Sequence, residues 1–232
     1  MNTRKLNVIS LMLNLSAVII AAYSLAHNFR TDILRDVTTV NGATLTDFAG
    51  FESFRYFTTL SNAFAAAASV IILVFNVKNA VNDAYRFPKS ALLIKYVATC
   101  AVALTFTTVA LFLSPAFCFL GQSYFTLFSG NGFFLHFLLP VMWIVDFIFF
   151  EKTPTLHFGY AFIALLPTAV YAAVYFFMVQ VLKAWPDFYS FSPSGNGRAL
   201  PVMVVLMCGL SFCVSVSVFL LRKKTGIISR RF

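Results

Sequence analysis

Long apolar segments separated by short polar breaks run through the whole chain. Six of them are long enough to cross a bilayer as α-helices, since about 20 apolar residues span the hydrocarbon core. The predicted spans are 6–27, 56–77, 90–114, 131–151, 158–182 and 200–221. Turn-forming residues mark the breaks; Ser114-Pro115, for example, ends the third segment. The pattern predicts an all-α, polytopic membrane protein, a six-helix bundle forming a single integral-membrane domain over 1–232.

Composition places this bundle in lipid. Of the 232 residues, 60% are hydrophobic and 11% are charged, whereas a soluble domain carries about 25% charged residues. The net charge is +9, but the basic residues flank apolar segments as membrane anchors do, so nucleic acid is not an expected partner. The four cysteines have neither CxxC nor zinc spacing, and neither a metal nor another cofactor is expected.

The distribution of Lys and Arg predicts the orientation of the bundle. Twelve basic residues, Lys95 among them, fall on one side of the predicted helices and five on the other. The positive-inside rule then places both termini in the cytoplasm. The first segment follows Arg4-Lys5 and could be a signal peptide, but its length favours a retained helix.

Two helices carry polar stripes. In helix one the stripe alternates three- and four-residue steps, which is suited to close helix packing; it comprises Asn7, Ser10, Asn14, Ala17, Ala21 and Ser24. In helix two the polar residues also share one face; they are Thr58, Ser61, Asn62 and Ser69. Hydrogen bonding between helices explains the second stripe. The alternative is that Thr58 is a nucleophile with polar neighbours one turn deeper.

His136 lies inside an uncharged stretch that runs from residue 96 to 145. Ionisable groups at membrane depth are costly and face the protein interior. His136 shares a helix face with Pro140 and Trp143, and Pro140 lacks the N–H that would bond the His136 carbonyl. Packing alone explains this histidine, while the functional interpretation is a general base. Asp146 lies about 15 Å further along the helix, too far to orient the imidazole.

Aromatic residues recur along helix five and in the predicted outer connections. Tyr171 shares a helix face with Pro167, which is expected to kink the helix, and its hydroxyl could line a polar cavity or pack in the core. The connections 115–130 and 184–193 are rich in aromatic residues. They could cap a cavity that opens toward the outer leaflet, or form a simple interfacial girdle.

Three segments carry a resemblance to a known family: FRYFTTLSN (54–62), LHFLLPVMWIVD (135–146) and WPDFYSF (185–191). The chain resembles the six-helix membrane proteins related to the androgen-induced and androgen-dependent TFPI-regulating proteins. It is most similar to bacterial relatives that share F-T-x-x-S-N and H-x-x-x-P-x5-D. The resemblance implies an intramembrane hydrolase in a bacterial plasma membrane, acting on fatty acid esters of hydroxy fatty acids. It assigns the nucleophile to Thr58 and the base to His136.

These observations favour a lipid-ester hydrolase whose partner is a membrane lipid or fatty-acyl ester. The ester enters from the outer leaflet, and Thr58 attacks it after His136 removes the hydroxyl proton. Asn62 or a helix-end N–H stabilises the oxyanion. Further residues are expected to line the site; they are Ser61, Trp143 and Tyr171. The alternative is a non-enzymatic transporter or lipid-binding scaffold, and the oligomeric state is left open.

Overall fold

Six membrane-length helices form the bundle in the computed structural model, which describes residues 3–30, 38–40, 43–45, 50–81, 87–151, 156–189, 191 and 199–228. The helices, numbered one to six, are Thr3–Arg30, Phe57–Val81, Lys89–Phe119, Asn131–Phe150, Tyr160–Val181 and Ala199–Ile228. A short antiparallel hairpin, Thr38–Val40 with Ala43–Leu45, lies in the connection between helices one and two. The predicted all-α, six-helix membrane architecture is confirmed.

Small residues bring the first four helices close together. All six residues of the helix-one stripe are buried. Ala17 and Ala21 belong to one core cluster with Ala65 and Ala68 of helix two. Helix two also packs on helix three, and helix four packs against helices one and three. Backbones approach closely where side chains are small, so the stripe serves the packing role that the sequence predicts.

Helix three contradicts one sequence-based prediction, because Ser114-Pro115 does not end it. A π-helical turn, Val109–Leu113, precedes a further α-helical segment, Ser114–Phe119. The Ser114 N–H bonds the Val109 carbonyl, and Pro115 has no N–H, so the Ala110 carbonyl lacks a helical donor. The Tyr124 hydroxyl donates to that carbonyl at 2.8 Å. The side chain therefore replaces the missing bond, and the helix continues past the proline.

Helix four also contains a proline that leaves a carbonyl without a donor, and here a residue of helix two supplies the donor. A π-helical turn covers Phe134–Leu138, and the Leu139 N–H bonds the Phe134 carbonyl. Because Pro140 has no N–H, the Leu135 carbonyl is left without a helical donor. Asn62 Nδ2 donates to it at 3.0 Å. The sequence predicts a free carbonyl at His136; the carbonyl that a side chain takes is that of Leu135, because the π turn shifts the hydrogen-bond register by one residue.

Helix five is interrupted one turn from its start. It consists of Tyr160–Ile163 and Leu166–Phe176, followed by a π-helical turn at Phe177–Val181. The break at residues 164–165 lies just before Pro167, where the sequence predicts a kink.

The aromatic connection after helix five folds over the N-terminal end of helix two and the C-terminal half of helix five. The Tyr189 hydroxyl accepts a hydrogen bond from the Phe57 N–H at 3.0 Å. The Tyr175 hydroxyl donates to Asp187 Oδ1 at 2.6 Å, and the Tyr171 hydroxyl donates to the Arg55 carbonyl at 2.6 Å. These bonds fix the described part of the connection, residues 184–189 and 191, to the bundle; the rest of the predicted 184–193 segment lies outside the described residues.

The Tyr124 bond can be tested with a double-mutant cycle. Tyr124→Phe should lower the free energy of unfolding by about 1 kcal/mol, because it leaves the Ala110 carbonyl without a donor. In a Pro115→Ala background the restored N–H should reduce that cost to near zero. Reversible unfolding in mixed micelles measures both values. Tyr160→Phe is the control, since no described residue bonds the Tyr160 hydroxyl. Equal costs in the two backgrounds would contradict this account of the proline.

Candidate functional site

Thr58 lies in the first turn of helix two and is half-buried. Its hydroxyl has no hydrogen-bond partner among the described residues. Its carbonyl accepts bonds from Ser61 Oγ at 3.0 Å and from Asn62 Nδ2 at 2.8 Å. The hydroxyl is therefore available for chemistry, while the carbonyl is held by the two polar side chains of the next turn.

The N-terminus of helix two adds backbone donors beside this hydroxyl. The first N–H groups of an α-helix have no acceptor within the helix, and this end carries a partial positive charge. The Phe57 N–H donates to the Tyr189 hydroxyl, and the Leu60 N–H donates to the Tyr56 carbonyl. For the intervening N–H groups of Thr58 and Thr59, the described part of the chain shows no acceptor outside the helix.

Asn62 links the two helices that carry the predicted catalytic residues. Its side chain is fully buried. Its Nδ2 group donates to the Thr58 carbonyl at 2.8 Å and to the Leu135 carbonyl at 3.0 Å. An amide NH₂ has two hydrogens, so both are in use. In this arrangement Asn62 positions the turns that contain Thr58 and His136, and it has no hydrogen left to donate to an oxyanion.

Ser61 connects helix two to helix three rather than to helix four. Its hydroxyl lies 2.9 Å from Thr105 Oγ1 and donates to the Thr58 carbonyl at 3.0 Å. Both serine and threonine are buried. Ser61 therefore stabilises the Thr58 turn against helix three, and its hydroxyl is not directed at His136.

His136 is oriented by the connection between helices three and four. Its Nδ1 atom lies 2.6 Å from the carbonyl oxygen of Leu127, which belongs to the 3₁₀ turn Thr126–Phe128. A carbonyl can only accept, so Nδ1 carries the hydrogen. In the neutral imidazole Nε2 then holds the lone pair and acts as the proton acceptor. The backbone contact thus sets the tautomer that a general base requires.

Gly132 makes room for that contact. A Cβ atom at this position would lie 2.5 Å from the Leu127 oxygen and 3.3 Å from His136 Nδ1. The first distance is shorter than real Cβ contacts allow, and the atom it meets is backbone. The glycine before His136 is therefore part of the site. The sequence contains the cue, a Gly one turn ahead of the histidine, but not the position of Leu127.

Thr58 and His136 lie on adjacent turns without a direct bond. The Asn62 bridge joins the Thr58 carbonyl to the Leu135 carbonyl. Among the described contacts, however, no hydrogen bond joins the Thr58 hydroxyl to the imidazole. Catalytic hydrogen bonds are often long or unformed before substrate binds. The Asn62 bridge thus brings the two turns together, while their side chains make no direct hydrogen bond.

The remaining predicted site residues lie elsewhere. Trp143 is buried deeper in the bundle, where its Nε1 donates to Ser69 Oγ at 2.6 Å. Tyr171 lines a groove of about 420 Å³ between helices two, three and five. The groove wall is apolar and includes Leu60, Val97, Ile163, Leu166, Pro167, Val170, Tyr171, Val174 and Trp185. Thr58 and His136 are not part of this wall.

A cluster of charged residues is buried at the other end of helix four. Lys95, Asp146 and Glu151 are each at most 1% exposed. Lys95, which the sequence counts with the basic residues of one membrane side, is therefore buried inside the bundle. The sequence cue for this burial is that Lys95 lies inside the predicted span 90–114 rather than at the edge of that span. Asp146, whose partner the sequence leaves open, binds a neighbouring helix through Asn14.

Short contacts hold this cluster together across four helices. Lys95 Nζ donates to Asn14 Oδ1 at 2.5 Å and to Ser69 Oγ at 3.0 Å. It lies 3.5 Å from Asp146 Oδ2 and 3.7 Å from Glu151 Oε1. Asn14 Nδ2 in turn donates to Asp146 Oδ2 at 2.6 Å. The ammonium thus has two uncharged acceptors and two acidic neighbours.

The six apolar helices define an integral, multi-pass membrane protein of the six-helix, all-α class. Two polar clusters lie inside it: one contains Thr58, Asn62 and His136, and the other contains Lys95, Asp146 and Glu151. Comparison with protein-family models, curated proteins and solved structures finds no match to the chain. The described residues include no group of three or more His, Cys, Asp or Glu side chains placed to hold a metal ion.

The role of Gly132 gives a direct test of the His136 geometry. Gly132→Ala should break the bond between Leu127 and His136, because the new methyl group occupies the contact. Nitrogen NMR of ¹⁵N-histidine protein, with the His136 signal assigned from His136→Gln, should show the Nδ1-protonated tautomer in wild type and lose that preference in the variant. Gly209→Ala is the control, since a Cβ there meets nothing within 4 Å. An unchanged tautomer in Gly132→Ala would contradict the proposed contact.

Proposed function

We propose that this protein is an intramembrane lipid-ester hydrolase in which Thr58 is the nucleophile and His136 is the general base. The observation that carries the proposal is the 2.6 Å contact between His136 Nδ1 and the Leu127 carbonyl, because it leaves Nε2 as the proton acceptor. The unbonded Thr58 hydroxyl and the Asn62 bridge between the two turns support the same assignment.

The reaction proceeds through an acyl-enzyme. His136 Nε2 takes the hydroxyl proton as Thr58 Oγ1 attacks the ester carbonyl carbon, giving a tetrahedral intermediate. The imidazolium returns that proton to the leaving alkoxide, and the alcohol departs. His136 then deprotonates a water molecule, which attacks the acyl-Thr58 ester and releases the fatty acid and the free hydroxyl.

Backbone groups are the better candidates for the oxyanion hole. Asn62 has no hydrogen to spare, because both are bonded to carbonyl oxygens. The N–H groups of Thr58 and Thr59 lie at a helix N-terminus, whose partial positive charge favours an anion. They are on the same turn as the nucleophile. In this proposal they stabilise the negative charge that develops on the ester oxygen.

The proposed substrate is a fatty-acyl ester that reaches the site from the bilayer. The resemblance to hydrolases of fatty acid esters of hydroxy fatty acids supports this substrate class. The groove beside helix two has an apolar wall, which is suited to an acyl chain. The helix-two residue in this wall is Leu60, which lies on the opposite face of the helix from Thr58. We assign the protein to a bacterial plasma membrane on the same resemblance.

Loss of either catalytic residue should abolish the reaction. Thr58→Ala and His136→Ala should each lower the hydrolysis of long-chain esters by at least about 100-fold. The double variant should be little worse than either single one, since the two residues act as a unit. Assays use purified protein in lipid nanodiscs, with labelling by a fluorophosphonate probe as a second readout.

Two matched variants control for folding and for general effects of substitution. Thr107→Ala removes another threonine of a spanning helix, whose hydroxyl bonds its own preceding turn. His157→Ala removes an exposed histidine outside the spans. Both should keep wild-type activity and labelling. Thr58→Ala protein that hydrolyses esters like wild type would rule out this nucleophile.

The proposed topology places both termini in the cytoplasm. Six crossings put the two termini on the same side, and the excess of basic residues assigns that side. A green fluorescent protein fused at the C-terminus should fluoresce, and alkaline phosphatase fused there should be inactive. Phosphatase fused after Gly121, in the connection between helices three and four, should be active. The opposite pattern would invert the bundle and place His136 near the cytoplasm.

A transporter or lipid-binding scaffold is the alternative, and the buried charged cluster favours it. Ionisable residues inside a helix bundle often mark ion or proton pathways. The alternative replaces the hydrolase under two conditions. The Thr58 and His136 variants behave like wild type in a cell-based assay, and the wild-type protein is not labelled by the fluorophosphonate probe.

A further inference from the structure

The apolar groove beside helix five is open to the bilayer. One face of that helix forms its side, with Leu166, Val170 and Val174 at four-residue steps, so this face extends about 12 Å along the helix axis. These three side chains are exposed, and so is Leu60 of helix two, whereas Val97 of helix three is buried at the bottom of the groove. All three helices are long and apolar enough to cross a membrane, so lipid surrounds the groove.

The size and chemistry of this groove fit a hydrocarbon chain. Its volume is about 420 Å³, within the range of roughly 300–1,000 Å³ that is typical of ligand sites. The hydroxyl group in its wall, that of Tyr171, already donates its hydrogen to the Arg55 carbonyl at 2.6 Å. Along the described helices the wall therefore offers a ligand no free side-chain donor, and an acyl chain gains by burying apolar surface there.

Trp185 supplies a polar group at one end of the groove. It follows helix five in the chain, and its ring centre lies 6.5 Å from that of Tyr175, in the C-terminal half of the helix. Within the described part of the chain the indole N–H donates to no acceptor. The Arg55 guanidinium lies 5.7 Å from the centre of the indole ring and is paired with Glu52 at 2.7 Å. A tryptophan beside a helix end of a membrane protein lies at the level of the lipid headgroups, where lipid oxygens can accept the N–H.

We propose that this groove binds one bilayer phospholipid, with an acyl chain along helix five and the ester carbonyl of that chain on the Trp185 N–H. A phospholipid joins the two chemistries that the groove offers, and its ester group is uncharged. A fatty acid would instead bring a carboxylate to a guanidinium that Glu52 already pairs. The site does not rest on the proposed hydrolase, because Thr58 and His136 lie outside the groove wall.

Native mass spectrometry of the full chain, released from nanodiscs of phosphatidylethanolamine, tests the occupancy. Wild type should keep one phospholipid under conditions that strip the surrounding lipid. Val170→Phe should lose it, because the ring fills the groove. Val202→Phe of helix six is the matched control, since this valine lies outside the groove and is 59% exposed, against 60% for Val170. Trp185→Phe keeps a ring and removes the N–H, so the affinity for the phospholipid should fall roughly 2- to 10-fold.

Three outcomes would overturn the proposal: wild type that keeps no phospholipid, wild type that keeps a fatty acid in its place, or Val170→Phe protein that keeps the phospholipid as wild type does. Where Val170→Phe fails to fold, fluorescence of the wild-type protein in mild detergent decides. Phosphatidylethanolamine with brominated acyl chains should quench Trp185 and saturate at one lipid per protein; Trp185→Phe protein gives the signal of the buried Trp143 to subtract. Quenching that rises without saturation would assign the contact to bulk lipid.

Discussion

A bilayer offers no water to the protein backbone, so each carbonyl that a proline leaves without a donor must find one inside the protein. Two helices of this bundle meet the requirement in the same way. A π-helical turn leads into each proline, at Pro115 and at Pro140, and a side chain from another segment takes the freed carbonyl. In helix three the donor is a tyrosine of the adjacent connection. In helix four it is Asn62, which thereby becomes the link between the predicted nucleophile and the predicted base.

Charged side chains inside the bundle also need partners within the protein, because the bilayer offers no water. Lys95 could not remain buried without acceptors, and it has Asn14, Ser69 and the carboxyl groups of Asp146 and Glu151 around it. Breaking a buried ion pair by removing one partner is costly, because the other charge then stays uncompensated. The cluster therefore ties helices one to four together at one end, while the alanine contacts of helices one and two do so nearer the middle.

The sequence predicts the spans and the buried stripes because both follow from local periodicity. It assigns the helix-one stripe and the polar face of helix two correctly, since each repeats at helical spacing. It fails at Ser114-Pro115, because a π turn and a distant tyrosine decide whether a proline ends a helix. It fails at Lys95 because a long side chain near a helix end can either reach water or fold inward, and Asn14 and Asp146 decide which. The Leu127 contact of His136 could not be predicted either, since it depends on how the connection between helices three and four folds.

Helix four contributes residues to both polar clusters, His136 to one and Asp146 to the other, at positions well separated along the helix. One π-helical turn contains His136 and the other begins at Asp146, with Pro140 between them. A π turn widens the helix and shifts the register, and such turns are frequent at functional sites. Here the first turn presents the imidazole to the Leu127 carbonyl and the second presents Asp146 to helices one and three. With a regular helix throughout, the Leu139 N–H would bond the Leu135 carbonyl, and Asn62 would lose its acceptor. The irregular register of helix four thus frees the Leu135 carbonyl, one residue before His136, to accept the bond from Asn62.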